Sequence, residues 1–582
     1  MRFDEEFDYV VVGAGSAGCA LANRLSADGT TRVLLLEAGG DDRRFWVQLP
    51  IGYGKTYYQS AVNWMYTTEP VPGLAGQPSY WPRGKVLGGS SSINAMVWIR
   101  GNAADYDAWQ AAGNPGWSYQ DVLPYFKRSE TFVPDATAAH ATDMGGAMAD
   151  DQRPNGLTRG ASMPGDTSPV DGGDGDKWRG RSGPVHVADV TAQLHPLCRD
   201  FIQAGCQAGL PFNPDFNGAR QDGVGYYQIS VKNGWRMSAS RAYLWPARRR
   251  SNLRIQMRAL VDRVLFEGRR AVGVAYTQGG HTRRVRARAE VVLCAGAIGS
   301  PALLQHSGIG PRALLEALGI PIVCDRPAIG QHLQDHVGVD YLFRSRKPSL
   351  NNVLSPWWGR ARAALQFAFW RRGPLGLSVN QAGGFMHSRP GLAQPNLQLY
   401  FSPLSYTRAP AGTRPLMHPD PFPAFLLGVS NCRPQSRGQI RIRSRDPREA
   451  PMIQPAYLSE PADVQELLEG VKHIRRLAAM PALAAVIEQE MRPGSGCVTD
   501  EALIQDIHAN AWSVFHPAST CRMGPDPQVD AVDAHLRVHG VVGLRVADAS
   551  IFPHLVSGNT NAPVIMVGER AADLILQDAT KV

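Results

Sequence analysis

The apolar pattern at the start of the chain predicts a β-α-β unit. The uninterrupted run Val10–Val12 is typical of a strand buried on both faces, and the following stretch, rich in Ala and Leu, predicts a helix. A second apolar run, Val33–Leu36, stops at the acidic Glu37. Two parallel strands joined by a helix are therefore the expected first unit of an α/β fold.

Three glycines lie in the turn between the first strand and the helix. Gly13, Gly15 and Gly18 have the spacing G-x-G-x-x-G, and Glu37 follows about 20 residues later, which is the full context of a dinucleotide site. Gly13 permits the tight turn, Gly15 lets the backbone approach a pyrophosphate, and Gly18 lets the helix pack on the strand. Glu37 is expected to bind the adenosine ribose and to disfavour a 2′-phosphate. The other predicted contacts, beside the N–H donors of the helix N-terminus, are Ser16, Ala17 and Ala38.

The remaining patterns predict two sheets and a long insertion. From about Phe132 to Gly183 the composition has no helical or strand period, which indicates a lid, an insertion or a partly disordered loop. Apolar and polar residues alternate over Asn252–Glu267, and with the run Ala271–Tyr276 they predict a small antiparallel meander. Other predicted strands are Gly183–Val187, Glu290–Ala295, Gln394–Phe401, Ala424–Val429, Gln439–Ser444 and Leu544–Val546, and predicted helices are Val464–Ala479, Asp500–Ala511 and Ala562–Ile575.

This order of elements predicts a nucleotide-binding domain assembled from both ends of the chain, with a second domain inserted. Residues 1–185, 251–340 and 513–582 are assigned mainly to the first domain, which contains the 132–183 insertion and, in its last segment, the candidate active-site residues. Residues 186–250 and 341–512 are assigned mainly to the second domain.

Composition and charge narrow the class of protein. The 582 residues, 44% of them hydrophobic, are enough for two large domains, and no apolar run approaches the length of a membrane span. The net charge of +9 comes from dispersed arginines without the exposed aromatic residues of a nucleic-acid reader, so no nucleic-acid partner is expected. The eight cysteines form no C-x-x-C pair and the N-terminus lacks a signal-peptide pattern, so we expect a cytoplasmic protein with reduced thiols.

Five segments resemble, in order, the signatures of the glucose–methanol–choline (GMC) flavin oxidoreductases. They are Trp81–Asn102, Cys294–Gly310, Gly330–His336, His516–Gly524 and Leu544–Pro563. The resemblance covers the chain except for the 132–183 loop, and it favours the bacterial alcohol and choline dehydrogenase branch. It implies the GMC fold, in which an FAD-binding Rossmann-like domain carries an inserted substrate domain with an antiparallel sheet backed by helices.

The resemblance implies FAD as the cofactor. Gly88, Gly89 and Ser90 would lie against the flavin, Asn94 near the diphosphate and the flavin, and Val261 would reach the adenine through its backbone. Some family members bind FAD covalently through a histidine just before the matching asparagine, but Ile93 stands there in this chain, so non-covalent binding is expected. The other implied FAD contacts are Arg83, Val86, Ala295, Gly296, Asp548, Ala549, Asn559 and Asn561.

The same resemblance implies the chemistry of alcohol oxidation. Hydride transfer from an alcohol to flavin N5 requires a base for the hydroxyl proton, and His516 matches the family's base. Asn559 matches the second member of the pair and can donate a hydrogen bond to the developing alkoxide, with Asn561 as the alternative. Trp512 and Val514 are predicted to line the substrate pocket. His332 and His336, spaced like a metal pair, are interpreted as structural, and no metal is expected.

The leading hypothesis is a dehydrogenase that oxidises a small alcohol to an aldehyde and passes electrons to a quinone or another acceptor. The first alternative is an oxidase that uses O₂. Cys432–Gly438 also resembles a string of the light-driven fatty acid photodecarboxylases, a flavin-lyase alternative that the presence of His516 disfavours.

The segment Leu350–Arg372 combines aromatic residues with arginines. This composition suits either peripheral contact with an anionic membrane or a buried or pocket-capping helix. The second interpretation is favoured because the apolar positions form no single helical stripe. The identity of the alcohol and the oligomeric state are left undetermined by the sequence.

Overall fold

A seven-stranded sheet contains both N-terminal apolar runs. In the computed structural model, which describes residues 2–134, 175–406 and 418–580, the strands Glu5–Val12 and Val33–Glu37 pair in parallel and are joined by the helix Ser16–Leu25. Leu253–Met257 extends the parallel sheet on one side, and His281–Leu293 with Leu544–Val546 extends it on the other. Segments near both ends of the chain and in its middle therefore form one sheet.

The alternating segment after residue 252 is divided between two roles. Leu253–Met257 pairs in parallel with Val33–Glu37, so the prediction that it belongs to the antiparallel meander is wrong. The chain turns at Arg258, which has a φ of +53°, and only then do Leu260–Glu267, Arg270–Gln278 and His281–Leu293 form the meander. Alternation identifies a strand with one exposed face but not its partner, and an edge strand of a parallel sheet also has such a face.

The second sheet has seven strands and is antiparallel throughout. The helix Pro461–Ala478 packs on it at Gly470, where an added Cβ would lie 3.0 Å from Val429. The helix Leu197–Gln207 packs on it at Gly205, beside Val224. The strand order of this second sheet is Ile487–Arg492, Val337–Ser345, Ala424–Asn431, Leu397–Ser402, Ala382–Met386 and Gly223–Tyr226. The short strand Trp512–Ser513 pairs with the start of Val337–Ser345.

The C-terminal helix Asn561–Ala579 returns to the first sheet and packs on the helix Ser16–Leu25. The other described α-helices are Phe45–Gln48, Tyr53–Thr56, Ala103–Ala111, Tyr119–Ser129, Gly175–Trp178, Trp245–Ala247, Gly296–His306, Arg312–Ala317, Leu350–Leu354, Trp357–Trp370, Pro481–Ala484 and Asp500–Asn510. The remaining strand pairs are Tyr66–Thr67 with Tyr80–Trp81, Glu130–Val133 with Val185–Ala188, Val231–Lys232 with Trp235–Arg236, Ile309–Gly310 with Cys324–Asp325, and Gln439–Arg441 with Met452–Gln454. Within the described ranges, no helix has the length and apolar character needed to cross a bilayer.

The predicted insertion over 132–183 has regular structure at both ends. Glu130–Val133 pairs in parallel with Val185–Ala188, and Gly175–Trp178 is helical although the pattern predicts no helix there. Arg179 is buried and forms ion pairs with Glu130 and Asp215. Residues 135–174 of the predicted loop lie outside the described residues. The division of the chain into two domains remains a proposal, which the membership of the two sheets supports.

The aromatic segment Leu350–Arg372 forms two helices, Leu350–Leu354 and Trp357–Trp370. The second helix buries only Gly359, Ala363 and Phe367, which form a narrow face. Its large apolar residues are mostly exposed: 74% for Trp357 and Phe369, 68% for Trp370, 59% for Leu365 and 58% for Trp358. The prediction of a buried helix is therefore wrong for the outer face, because two small residues and one phenylalanine are enough to seat the helix. The alternative of a pocket-capping helix stays a prediction.

Candidate active site

The glycine-rich turn packs against protein at two glycines and leaves space at the third. An added Cβ would lie 2.5 Å from the carbonyl oxygen of Cys294 at Gly13, and 1.9 Å from the carbonyl oxygen of Gly13 at Gly18. At Gly15 it would come no closer than 3.7 Å to a protein atom beyond its neighbours, so protein packing does not require a glycine there. Gly15 lines a cavity at the N-terminus of the helix Ser16–Leu25, where backbone N–H groups can bind an anion.

The carboxylate of Glu37 is buried at the end of the second strand. It accepts hydrogen bonds from the backbone N–H groups of Ala14, at 2.9 Å, and Gly39, at 2.7 Å, and so ties the glycine turn to the strand end. Burial raises the pKa of Glu37 to about 7. Its two oxygens have further lone pairs beyond those that meet these donors, so the residue fits the predicted contact with ribose hydroxyls.

A second tight turn lies against the first. Gly88 donates its N–H to the carbonyl oxygen of Ala14 at 2.7 Å. A Cβ on Gly89 would lie 2.8 Å from the Cα of Gly15, so backbone rests directly on backbone. This close approach brings Gly89, Ser90 and Asn94 to the cavity wall.

Asp548 joins the last strand of the first sheet to a third turn. Its Oδ2 accepts hydrogen bonds from the N–H of Gly296 at 2.8 Å and the hydroxyl of Ser300 at 2.6 Å, and its Oδ1 accepts one from the N–H of Ser550 at 2.8 Å. The carboxylate therefore holds the two strand ends together. This arrangement places Ala295, Gly296 and Ala549 on the cavity wall.

The cavity has a volume of about 800 Å³ and reaches from these turns to the second sheet. Its glycine turns, helix N-terminus and buried acid are the donor and acceptor groups that a dinucleotide requires, and its size suits a bound cofactor with a small substrate. The predicted cofactor residues on its wall are Gly13, Gly15, Ser16, Ala17, Glu37, Ala38, Arg83, Gly89, Ser90, Asn94, Val261, Ala295, Gly296, Asp548, Ala549, Asn559 and Asn561. The aromatic part of the wall includes Tyr53, Tyr57, Tyr400, Tyr406, Trp512 and Phe515.

His516 lies on the cavity wall in a turn that is held from two sides. Its backbone N–H donates to Oδ1 of Asp335 at 2.6 Å, and the same buried carboxylate accepts hydrogen bonds from the hydroxyls of Tyr457 and Ser513. Arg83 donates to the carbonyl oxygen of the preceding residue, Phe515, at 2.6 Å. The backbone at His516 is therefore fixed independently of any ligand.

Both ring nitrogens of His516 have partners. Nδ1 lies 2.9 Å from Nδ1 of His336, and Nε2 lies 3.2 Å from Nδ2 of Asn559. Gln398 donates to Oδ1 of Asn559 at 3.4 Å, which turns the Asn559 amide nitrogen toward His516. Burial, with smaller effects of His336 and Arg83, lowers the pKa of His516 well below its ordinary value, so the ring is neutral and one of its nitrogens has a free lone pair for hydrogen bonding.

Asn561, the alternative partner, points elsewhere. Its Oδ1 accepts a hydrogen bond from the hydroxyl of Ser16 at 2.8 Å, at the glycine-rich turn. Trp512 and Val514, the predicted pocket residues, both line the cavity, and the Trp512 ring meets Phe515 edge to face.

The family comparison accounts for this arrangement. The N-terminal model of the GMC oxidoreductase family matches residues 7–338 and the C-terminal model matches residues 434–568. The chain is a GMC oxidoreductase. The two matches contain every predicted cofactor and catalytic residue, and the residues between them, 339–433, include three strands of the second sheet.

Relatives of this GMC oxidoreductase match over nearly its whole length. It is 38% identical to an alcohol dehydrogenase [acceptor] of Pseudomonas putida, over 98% of this chain and 96% of the relative. It is 41% identical to an oxygen-dependent choline dehydrogenase of Pseudomonas putida strain GB-1, over 98% of this chain and 94% of that relative. Among solved structures, an FAD-dependent oxidoreductase from Chaetomium thermophilum superposes with a TM-score of 0.85 at 27% identity, covering 99% of this chain and 100% of that one.

Three predicted cofactor contacts of this oxidoreductase do not line the cavity. Gly18 faces the backbone of Gly13. Val86 is fully buried in a small apolar cluster, and Gly88, with a φ of +87°, forms the bend of the second turn. These residues shape the turns and do not face the cavity, a distinction that spacing within a motif cannot express.

Two residues that hold the site, His336 and Arg236, were not predicted to do so from the sequence. His336 was interpreted as structural, but its ring touches His516, and its place after Asp335 in the third signature was the available signal. Arg236 is 1% exposed and donates to backbone carbonyls of Val47, Pro50, Ser91 and Asn94. Those partners are far away in sequence, so no local pattern reveals it. Across the described ranges, no group of three His, Cys, Asp or Glu side chains is arranged to hold a metal ion.

Proposed function

We propose that this GMC oxidoreductase is an FAD-dependent alcohol dehydrogenase. The observation that carries the proposal is the pairing of His516 with Asn559 on the wall of a cavity that also contains the glycine turns of a dinucleotide site. When bound, FAD supplies the hydride acceptor. The relatives named alcohol dehydrogenase and choline dehydrogenase support the same reaction class. They do not favour a flavin lyase.

The chain supplies a proton acceptor and a hydrogen-bond donor for the alcohol. When an alcohol hydroxyl replaces the Asn559 amide as the partner of Nε2 of neutral His516, Nε2 accepts the hydroxyl proton. The amide of Asn559 then donates a hydrogen bond to the alcohol oxygen as negative charge develops on it. Asn559 cannot take up the proton, so the two groups do not compete. His516 is only 8% exposed, so little water reaches its side of the cavity.

Anaerobic mixing of the holoprotein with primary, aromatic and polyether alcohols tests this proposal through bleaching of the flavin absorbance. His516→Ala is expected to retain FAD and to lose flavin reduction by roughly 10²–10⁴-fold, the usual contribution of a general base. His281→Ala, at an exposed hairpin end, is the matched control and should behave as wild type. Wild-type flavin reduction by His516→Ala would place the base elsewhere and defeat the proposal.

We propose that FAD is bound without a covalent bond. Ile93 lines the cavity with a hydrocarbon side chain, which has no group that can attach to a flavin. Acid precipitation is expected to release the yellow colour into the supernatant. Colour that stays with the precipitated protein would contradict this.

We also propose that electrons leave to a quinone or another non-oxygen acceptor, with the exposed helix Trp357–Trp370 in contact with an anionic membrane. No Asp or Glu occurs between Asp340 and Asp420, whereas Arg360, Arg362, Arg371 and Arg372 accompany the exposed rings. Aromatic rings with cations and no acids suit the headgroup region of an anionic bilayer. The buried face of the helix shares an apolar cluster with Val379 and Tyr406, which line the cavity, so this contact would bring the cavity close to the membrane.

Two measurements test this proposal. Wild type should sediment with phosphatidylserine-containing vesicles at physiological salt, whereas a Trp357/Trp358/Trp370→Ser variant should stay in the supernatant. Vesicles of pure phosphatidylcholine are the control and should sediment neither protein. Equal sedimentation of both proteins would contradict membrane contact. Bleached flavin should persist when air is admitted; rapid re-oxidation would instead support the alternative of an oxidase.

A further inference from the structure

We infer that His336 is a positioning residue that keeps Nε2 of His516 unprotonated, with the carbonyl oxygen of Cys432 as the fixed reference for both rings. The inference rests on the proposed function, in which Nε2 of His516 is the proton acceptor. It assigns a role to a histidine that does not itself line the cavity.

The carbonyl oxygen of Cys432 can only accept a hydrogen bond, and this fixes which nitrogens of His336 and His516 carry a hydrogen. Nε2 of His336 lies 2.9 Å from the carbonyl oxygen of Cys432, so this nitrogen must carry the hydrogen. Nδ1 of a neutral His336 then has only its lone pair. Nδ1 of His516, 2.9 Å away, must therefore donate to it. Because a neutral imidazole has one N–H, Nε2 of His516 is left with a lone pair on the side of Asn559.

The pattern holds only while His336 is neutral, and its surroundings favour that state. The ring is fully buried, and burial lowers the pKa of His336 to about 4. Hydrogen bonding to the backbone of Cys432 and Val556 raises this pKa and the Arg433 cation lowers it, but the effect of burial is the largest. The carboxylate of Asp335 is occupied by Tyr457, Ser513 and the backbone of His516. A protonated His336 would donate at both nitrogens and force the hydrogen of His516 onto Nε2, where it would block the base.

The reference carbonyl lies at the end of a strand of the second sheet. Cys432 directly follows the strand Ala424–Asn431, is 1% exposed, and donates its N–H to the carbonyl oxygen of Asn396 at 2.8 Å. His336 directly precedes the strand Val337–Ser345, which pairs with the same strand. The two rings meet edge to face, with an interplanar angle of 90°. A backbone atom at the end of a sheet strand therefore sets the tautomer of a side chain on the cavity wall.

The test compares His336→Gln with His336→Leu in the holoprotein. The Gln amide has one donor and one acceptor atom, so it can donate to Cys432 and accept from His516, whereas Leu can do neither. We expect both variants to retain FAD, His336→Leu to slow anaerobic flavin reduction by about 10²-fold, and His336→Gln to stay within about tenfold of wild type. A purely space-filling role would predict equal rates for the two variants.

Two results would overturn the inference: wild-type flavin reduction by His336→Leu, or His336→Gln no faster than His336→Leu while both hold FAD. If His336→Leu does not fold, ¹⁵N-histidine NMR of the wild-type holoprotein decides. The signals that vanish in His516→Gln should report a protonated Nδ1 and an unprotonated Nε2, and the reverse pattern would refute the inference. Rapid flavin reduction by His516→Ala would instead defeat the proposed function, so the two failures are distinguishable.

Discussion

Gly15→Ala tests whether the open side of the first glycine turn is where the FAD diphosphate binds. Gly15 has φ −78° and ψ −164°, an extended conformation that alanine also adopts. The added Cβ would stay at least 3.7 Å from protein atoms beyond its neighbours. The free energy of unfolding of the apoprotein should therefore be unchanged or rise by roughly 0.4–1 kcal/mol, because alanine lowers the entropy of the unfolded chain.

The substitution should instead weaken the binding of FAD. The Cβ would occupy the space through which a phosphate oxygen approaches the N–H donors of the turn, so at least one charge-assisted hydrogen bond is lost. Such a bond contributes about 1.5–3 kcal/mol, which corresponds to a rise of roughly 10–150-fold in the Kd for FAD. By mass action, the holoprotein should lose the same amount of stability at a fixed excess of FAD.

Titration of the apoprotein with FAD, followed by flavin fluorescence, gives the Kd, and urea unfolding gives both stabilities. Gly496→Ala is the matched control, because its added Cβ meets no described atom within 4 Å and the residue is outside the cavity wall. Gly18→Ala should instead destabilise the apoprotein, since its Cβ would lie 1.9 Å from a carbonyl oxygen. Wild-type affinity in Gly15→Ala would refute the placement of the diphosphate.

The remaining predictions concern three other places. Asn559→Ala should slow flavin reduction by roughly 10²–10³-fold at unchanged FAD content, whereas Asn561→Ala should chiefly weaken FAD binding; identical effects in both assays would contradict the assignment. Burial raises the pKa of Glu37 from 4.5 in the unfolded chain to about 7, so the native apoprotein binds more protons and its unfolding free energy should fall as pH rises through this window. In Glu37→Gln the unfolding free energy from urea titrations should depend less on pH than in wild type. An equal pH dependence in the two proteins would contradict the raised pKa of Glu37. Glu130→Ala removes the carboxylate shared by buried Arg100 and Arg179 and should lower the unfolding free energy by about 3–5 kcal/mol, while exposed Glu267→Ala should not.

Site residues whose role depends only on their neighbours in one turn or one signature could be predicted from the sequence. Gly13, Gly15 and Gly18 serve a single strand-turn-helix unit, so their spacing, together with the flanking strand, the helix and Glu37, predicts a dinucleotide site. Family membership confirms FAD as the cofactor, and the position of its site stays a prediction. His516 was singled out by its signature in the same way. Short-range backbone geometry leaves a trace in neighbouring residues, and such a trace can be read without knowing the rest of the fold.

Partners that are distant along the chain were decided only by the tertiary structure. Alternation predicted strands within Asn252–Glu267 but not the parallel neighbour of the first one. The composition of Leu350–Arg372 suggested a helix but not which of its faces is exposed. The N-T-N sequence could not say that Asn559 rather than Asn561 meets His516, because Gln398, 161 residues from Asn559, orients that amide. His336 and His516 are 180 residues apart and meet only because the strand beginning at Val337 is paired in the second sheet. Hydrogen-bond direction depends on which atoms the fold brings within about 3 Å, and a linear pattern does not contain that information.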